Sequence, residues 1–277
     1  MMLFVCVNTY AQYSKLLDFD GANNGGYPTS DLLFYNGLLY GMAGGGANNM
    51  GVLFKIQTDG TGYTKLLDFN GAGNGNNPAF GPLITDGEYL YGVTIYGGVN
   101  NMGVLFKIKF DGSGYIKLLD FDGTVKGQYP ISSLLSDGTY LCGMTYQGGV
   151  NNAGVVYKIK TDGSGYQKLL DFNGTGNGQA PRGALISDGN YLYGTTTGGG
   201  ANNIGVVFKI KTDGSGYQKL LDFDGTGNGA SPDRSLFIND DFLYGTTYMG
   251  GTSENGVIFR IKPDGTSYQK LLDFNGS

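Results

Sequence analysis

The sequence predicts an all-β protein, a β-propeller of five four-stranded blades of about 51 residues each. The first observation is one pentapeptide, Lys-Leu-Leu-Asp-Phe, whose aspartates recur every 50 to 52 residues through the chain. A fixed period of this length is typical of propellers, solenoids and repeat arrays. The second is that glycine or an Asx-Gly turn interrupts every window in which apolar residues could follow helical spacing. The six copies are Lys15–Phe19, Lys65–Phe69, Lys117–Phe121, Lys168–Phe172, Lys219–Phe223 and Lys270–Phe274.

The unit that runs from Pro181 to Phe223 shows the four predicted strands in order. Residues 184–187 are a short apolar run that ends in Asp188-Gly189, a strong two-residue hairpin signal. Residues 191–196 are aromatic and β-branched, which favours a second strand. A Gly/Asn-rich loop then leads to a third strand at 206–211, and an Asp-Gly turn leads to a fourth at 217–223. Four short strands in up-and-down order predict a propeller blade, whereas a parallel β-helix has a shorter coil without a hairpin after each strand.

The number of blades follows from the second and third strands, which occur in five sets, although there are six outer strands. We predict a truncated signal-peptide-like segment at 1–11 and a single five-bladed propeller at 12–277, with an extra outer strand at 13–19. The units are about 20–69, 70–121, 122–172, 173–223 and 224–274. Either the N-terminal copy closes the ring as the outer strand of the last blade, or the C-terminal copy does so and the other is spare. A third alternative is that the sequence is part of a longer array.

The charge of the chain excludes one class of partner. The net charge is −5, and the 15 Lys and 3 Arg are scattered by the repeat. Nucleic-acid binding needs clustered cations that neutralise phosphates, so we expect no nucleic-acid partner. After the first residues, no stretch approaches the ~20 apolar residues of a transmembrane helix, so we also expect no membrane span. We expect a monomer.

The first eleven residues predict export from the cell. Residues 1–7 are apolar, and Thr9-Tyr10-Ala11 resembles a signal-peptidase site with small residues at −3 and −1. An ordinary first strand is the alternative interpretation. Cysteine is limited to Cys6 and Cys142, so no disulfide framework is indicated, and Cys142 is expected to be a buried small apolar residue.

The repeat unit resembles a known bacterial family. Its pattern of Leu-Tyr-Gly-Thr-Thr, a double glycine and Phe-Lys-Ile, seen at residues 192–196, 199–200 and 208–210, is similar to the GloVer tandem repeat. The resemblance covers residues 13 to 277. It implies a bacterial protein that is secreted or displayed on the cell surface, with no known reaction. The order of hairpin, double glycine and aromatic strands is also similar to kelch blades, although the fourth-strand aromatic is tyrosine here, as at Tyr217.

Up-and-down topology places the loops between second and third strands, together with the connections between blades, on one face. We call this the long-loop face and predict that it is the binding face. Its recurring asparagines could make equivalent sites for a polar ligand, or they could serve turn geometry alone. The residues that break the repeat there are a second group of candidates. The candidate ligand-binding residues are Asn48, Asn49, Asn100, Asn101, Asn151, Asn152, Asn202, Asn203, Glu254, Arg182, Asp233 and Arg234.

Metal and cofactor chemistry is not indicated. The stretch from Asp171 to Asn177 has oxygen-bearing side chains at alternate positions, as a calcium loop does, but no glutamate follows at the twelfth position. We interpret it as a set of Asx turns and predict no cofactor and no metal site, with calcium binding as the alternative interpretation.

We do not expect an enzyme. The sequence has no histidine, which excludes Ser-His-Asp catalysis and histidine-bound metals. A glycosidase would need two carboxylates across a bond, and Glu88 and Glu254 are the only glutamates. The leading hypothesis is therefore a secreted or cell-surface, non-catalytic scaffold that binds a polar ligand, a glycan or a protein. The alternatives are a multivalent carbohydrate-binding propeller and, last, a glycosidase.

Overall fold

The computed structural model describes residues 14–28, 30–78, 81–239 and 241–276, so the signal-like segment at 1–11 lies outside the described residues. The described residues form five antiparallel sheets and no helix. Each sheet contains an up-and-down meander of four strands in which neighbouring strands are antiparallel, and the second sheet has one further short strand. This confirms the predicted propeller of five four-stranded blades.

The strand bounds repeat closely from blade to blade. The first blade contains β1 (Leu33–Tyr35), β2 (Leu38–Ala43), β3 (Val52–Gln57) and β4 (Thr64–Asp68). The second contains β5 (Asn76–Pro78), β6 (Ile84–Thr85), β7 (Tyr89–Tyr96), β8 (Val104–Lys109) and β9 (Ile116–Asp120). The third contains β10 (Leu135–Ser136), β11 (Tyr140–Thr145), β12 (Val155–Lys160) and β13 (Gln167–Asp171). The fourth contains β14 (Ile186–Ser187), β15 (Tyr191–Thr196), β16 (Val206–Lys211) and β17 (Gln218–Asp222). The fifth contains β18 (Phe237–Asn239), β19 (Phe242–Thr246), β20 (Val257–Ile261) and β21 (Gln269–Asp273).

The extra strand of the second sheet, β5, is a longer form of a pairing that the other blades also have. In those blades the connection from the preceding blade pairs with the chain after the second strand through a single β-bridge, as between Gln128 and Gln147. In the second blade, Asn76 and Pro78 both pair with β7.

The core lies between the blades. The third strand is buried over its apolar residues, and the phenylalanine that ends each Lys-Leu-Leu-Asp-Phe copy packs edge-on against the third-strand aromatic ring of the next blade. The pairs are Phe69–Phe106, Phe121–Tyr157, Phe172–Phe208 and Phe223–Phe259, with ring centroids 5.4 to 5.6 Å apart. Such edge-to-face pairs are favourable because the positive edge of one ring meets the negative face of the other.

A β-bulge explains why two adjacent leucines occur in this motif. In the second blade Leu119 pairs with Leu105, whereas Lys117 pairs with Phe106, so Leu118 has no partner across the ladder. Alternation would send neighbouring side chains to opposite faces, but the extra residue changes the local direction of the strand. Both leucines are buried as a result.

The two end copies of the motif differ from the four internal ones. Phe19 packs against Phe54 of the first blade, with centroids 5.6 Å apart, as an internal copy would. Residues 14–19 lie where an outer strand would lie but form no strand, because β21 and not this segment pairs with β20. At the other end Phe274 is 42% exposed and Leu272 is 45% exposed, whereas Phe172 is fully buried. Thus the C-terminal copy is the outer strand of the last blade, and the N-terminal copy covers the first blade.

Candidate functional site

On the long-loop face, backbone hydrogen bonds join two kinds of loop. The loop between second and third strands in one blade meets the connection that leads into that blade. For example, the Gly98 N–H donates to the Gly71 carbonyl at 3.0 Å, and the Gly200 N–H donates to the Gly174 carbonyl at 2.9 Å. The predicted assembly of these loops on one face therefore has a direct hydrogen-bonded basis.

The first asparagine of each pair is used within the fold. The Asn202 side-chain amide donates to the Phe223 carbonyl at 2.7 Å, which ties the loop to the end of the outer strand. Its equivalents Asn48, Asn100 and Asn151 donate to the carbonyls of Phe69, Phe121 and Phe172 at 2.9 to 3.0 Å.

The second asparagine of each pair has a left-handed backbone. The φ angles of Asn49, Asn101, Asn152 and Asn203 lie between 53° and 60°, a region that asparagine tolerates better than most residues. The Asn203 Oδ1 also accepts the Gly199 N–H at 3.2 Å, with the same bond at Asn101 and Asn152. Glu254 occupies the same position in the fifth blade with a φ of 60°. These geometries give the candidate asparagines a structural role, and a ligand would have to compete with these bonds.

The Lys-Leu-Leu-Asp-Phe aspartate completes the loop. Asp222 accepts the Ala201 N–H through Oδ1 at 2.8 Å, and its Oδ2 pairs with Lys219 Nζ at 2.7 Å. The same pair of contacts recurs at Asp68, Asp120, Asp171 and Asp273. The motif therefore joins the long loop of its own blade by its charges and the next blade by its apolar side chains.

The tyrosines that open the fourth strands are also engaged. The Tyr217 hydroxyl donates to the Asn177 carbonyl at 3.1 Å, and Tyr63, Tyr115 and Tyr268 make the equivalent bond. Burial raises the pKa of Tyr63 and of Tyr268 to about 12. These hydroxyls remain protonated near neutral pH and act as structural donors.

The calcium-like stretch forms reciprocal turns. Asn173 Oδ1 accepts the Asn177 N–H at 2.9 Å, and Asn177 Oδ1 accepts the Asn173 N–H at 2.6 Å. The Asn177 amide nitrogen also donates to the Asp171 carbonyl at 3.0 Å. Over the described ranges, no group of three or more Asp, Glu, Cys or His residues lies close enough together to hold a metal ion.

The residues that break the repeat come together at the centre of the ring. A depression of about 130 Å³ is lined by the residues just before the first strands of all five blades, including Asp31, Ser133, Arg182 and Asp233. Next to it, a depression of about 470 Å³ is lined by Arg182, Thr197, Ser231, Asp233 and Tyr248. The two depressions share Arg182 and Asp233, and we call them together the axial depression. The residues of the smaller depression lie together because they precede the first strands, and all five first strands begin beside the long-loop face.

Charge and an aromatic ring converge in the larger depression. The Arg182 guanidinium lies over the Tyr146 ring, 5.1 Å from its centroid, and its side chain is exposed. Arg234 Nε lies 3.8 Å from Asp233 Oδ1, and Tyr248 is 68% exposed. The arrangement can bind an anionic or hydrogen-bonding group through the guanidinium fork and stack a flat or apolar group on tyrosine.

The glutamates do not form a catalytic pair. Glu88 lies in the tight turn between β6 and β7, whereas Glu254 lies in a loop of the long-loop face. The two residues are therefore at opposite ends of their blades.

Two features of the third blade were not predicted as sites. The Tyr157 hydroxyl is fully buried, with no hydrogen-bond partner among the described residues, and it stands where the other blades have phenylalanine. Cys142 is buried beside a cavity of about 270 Å³. An alignment of the repeat units could have revealed both residues, because Tyr157 aligns with phenylalanine and Cys142 with tyrosine in the other units.

The fold and the repeated loops define a class of protein, the β-propeller of tandem repeats with a polar axial depression. The sequence profile of the Gloeobacter/Verrucomicrobia repeat matches residues 3–152 and 135–277, and the chain belongs to this family. No curated protein matches the chain. The resemblance to kelch blades stays a prediction.

Two similar solved structures with TM-scores of 0.55 and 0.50 support the fold alone. A chain of the nidogen/laminin complex is 12% identical with a TM-score of 0.55, over 86% of this chain and 76% of that one. A protein assigned as TolB from Agrobacterium tumefaciens is 12% identical with a TM-score of 0.50, over 90% and 79%. The tricorn protease is 16% identical with a TM-score of 0.47, and the match spans 85% of this chain but 21% of the protease. No helix in the described part of the chain is long and apolar enough to cross a membrane.

Proposed function

We propose that this chain is a secreted or cell-surface binding scaffold without catalytic activity, and that its ligand binds at the axial depression on the long-loop face. The observation that carries the proposal is the convergence of Arg182, Asp233 and Tyr248 in one depression. Repeat symmetry alone does not require this combination, because Arg182 and Asp233 occupy one repeat position with opposite charges, and Tyr248 is matched by Tyr146 in the third blade but by Thr197 in the fourth. Loops on a rigid scaffold are the usual place for binding residues.

The chemistry of the depression indicates a ligand with an anionic or strongly hydrogen-bonding group next to an apolar or planar one. Arginine binds carboxylates and similar groups through two parallel hydrogen bonds, and the exposed Tyr248 ring offers a stacking surface. An acidic peptide segment of a partner protein has both features. We propose that the chain binds this ligand as a monomer.

The proposal is tested by measuring the binding of acidic and neutral peptides to the intact chain and to Arg182→Ala. Loss of at least tenfold in affinity for the acidic peptides is expected. Lys160→Ala is the matched control, because Lys160 ends β12 at the far end of its blade and its loss changes the net charge equally. Equal losses in both variants would mean that the net charge, and not the axial site, holds the peptide.

A multivalent carbohydrate-binding propeller is the second candidate. The observation that favours it is an exposed tyrosine ring at the end of the second strand in two blades, Tyr96 as the last residue of β7 and Tyr248 just after β19. Sugar rings stack on such surfaces. Glycan binding with several equivalent sites per chain would support this candidate, whereas one site that depends on Arg182 would support the axial depression.

A further inference from the structure

A partly enclosed cavity of about 270 Å³ lies between the third and fourth blades. It is close to the tight turns, at the opposite end of the blades from the axial depression, so its role does not depend on the proposed function. The third blade contributes Asp137, Tyr140, Cys142 and Lys158, and the fourth blade contributes Leu192 and Thr212.

The cavity occupies the place of a missing tyrosine ring. In the second blade Tyr91 pairs with Ile84 and Lys107, and its hydroxyl donates to Asp86 Oδ2 at 2.7 Å. Tyr193 makes the same bond to Asp188 Oδ2, also at 2.7 Å.

Cys142 has the same register in the third blade, where it pairs with Leu135 and Lys158. Its side chain is too short to reach the aspartate of its own turn, Asp137, so the space that the other blades fill with a phenol ring stays open.

The hydrogen-bonding acceptor of this space is retained. Asp137 Oδ1 accepts the N–H groups of Thr139 and Tyr140 at 2.8 and 2.6 Å, as Asp188 does in its turn. Among the described residues, no hydrogen bond reaches Asp137 Oδ2. The carboxylate is therefore oriented as it is where a tyrosine hydroxyl binds it.

The lysine and the thiol on the wall are not expected to bind a ligand by a charge or a covalent bond. Lys158 Nζ donates to the Thr212 carbonyl at 2.8 Å and lies over the Tyr140 ring, 4.9 Å from its centroid. Burial raises the pKa of the Cys142 thiol to about 11, so the thiol is protonated and is a poor nucleophile at neutral pH. A ligand in this cavity would bind without a covalent bond.

We propose that this cavity binds a small free phenol whose ring fills the space of the absent tyrosine and whose hydroxyl donates to Asp137 Oδ2. An apolar cavity of sufficient volume in a protein interior can bind a small aromatic molecule such as benzene. The oriented carboxylate adds a requirement for a hydroxyl, because a site with a polar group positioned for a hydrogen bond discriminates against the analogue that lacks it.

The test is titration of the intact chain with p-cresol and with toluene, followed by NMR and by isothermal calorimetry. Saturable binding of one p-cresol per chain is expected, with toluene at least tenfold weaker. Cys142→Tyr should abolish binding and raise the melting temperature, since the new ring fills the cavity. Asp137→Asn should reduce the preference for p-cresol over toluene.

A gain-of-site variant keeps the proposal testable even if Cys142→Tyr fails to fold. Tyr193→Cys opens the equivalent space beside Asp188, so a second p-cresol should bind. The proposal is overturned if p-cresol does not saturate up to its solubility limit, if toluene binds equally well, or if Tyr193→Cys leaves the stoichiometry at one. A cavity that holds only water would give the first of these results.

Discussion

Phe19 packs edge-on against Phe54 with ring centroids 5.6 Å apart and ring planes at 70°, the arrangement that Phe69 makes with Phe106 at the next junction. The first blade therefore has its aromatic cover although residues 14–19 form no strand. Among the residues that the structure describes, Phe274 of the fifth blade packs against no such ring, and it is 42% exposed.

This difference predicts unequal effects of the same substitution at two copies of one motif. Phe172→Ala removes a fully buried ring and should lower the free energy of unfolding by about 3–5 kcal/mol. Phe274→Ala removes a ring that is 42% exposed and should cost only about 1–2 kcal/mol. Urea unfolding of both variants measures the difference. Equal losses would mean that the outer face of the fifth blade is covered in solution.

Tyr157→Phe should stabilise the chain by about 1–3 kcal/mol, because it removes a buried hydroxyl with no partner and leaves the ring that faces Phe121. Tyr166→Phe is the matched control in the same blade. The Tyr166 hydroxyl donates to the Val125 carbonyl at 3.3 Å, so its removal should cost about 0.5–1.5 kcal/mol. A loss of stability in both variants would show that the Tyr157 hydroxyl is satisfied by water.

The free energy of unfolding should decrease as the pH is lowered, in part because of Asp188. Burial alone would raise the pKa of Asp188, but the hydrogen bonds from the Tyr191 N–H, the Tyr193 hydroxyl and the Asn190 N–H lower it below its usual value. A carboxyl whose pKa is lower in the folded state stabilises the fold above the unfolded pKa of about 3.9, and this contribution is lost as the pH falls through the folded pKa.

Tyr193→Phe should therefore reduce the slope of stability against pH below about pH 4, since it removes one donor to the carboxylate. Tyr191→Phe is the control, because it keeps the backbone N–H that binds Asp188. Thermal melts between pH 2.5 and 6 measure both. An unchanged slope in Tyr193→Phe would exclude the hydroxyl as a source of the pKa shift.

Glu254→Asn should raise the free energy of unfolding by about 0.5–1 kcal/mol. The residue has a φ of 60°, where the four equivalent residues are asparagine, and a left-handed backbone is costly for most side chains. Glu254→Ala, which keeps the strain and offers no local hydrogen bond, should give no gain. A drop in ligand binding with Glu254→Asn would instead support Glu254 as a site residue.

The fold could be predicted from the sequence because each local signal occurs in all five repeat units. The Asp-Gly turns, the aromatic strands and the period of about 51 residues all agree on the same blade, and agreement between local and global signals specifies a fold. The packing of Phe19 on Phe54 could not be predicted, because the motif was interpreted only as a hydrogen-bonded outer strand. An outer strand must pair with a third strand, whereas an aromatic ring can pack on a neighbouring blade without any strand pairing.

The candidate site was only partly predictable. Arg182, Asp233 and Tyr248 are distant in sequence, and topology brings the first two together because they precede aligned strands. The hydrogen bonds of Asn202 and Asn203 could not be deduced, since a sequence shows that asparagine recurs but not which carbonyl it contacts. The third-blade cavity depends on one side chain that is too short, a difference that the repeat makes visible but whose volume only the structure gives.

Because each Lys-Leu-Leu-Asp-Phe copy pairs with one sheet and packs on the next, the boundaries of the repeat depend on which interaction defines them. A recombinant segment cut at the loops between units would keep the ladder hydrogen bonds within each of its sheets and expose one aromatic face. In a segment of n sheets, the third-strand ring of the first sheet is covered by the motif copy that precedes that sheet. Such a segment therefore needs n + 1 copies of the motif and should begin at the lysine of this preceding copy. Shorter versions of this protein should therefore be designed with an offset of one strand.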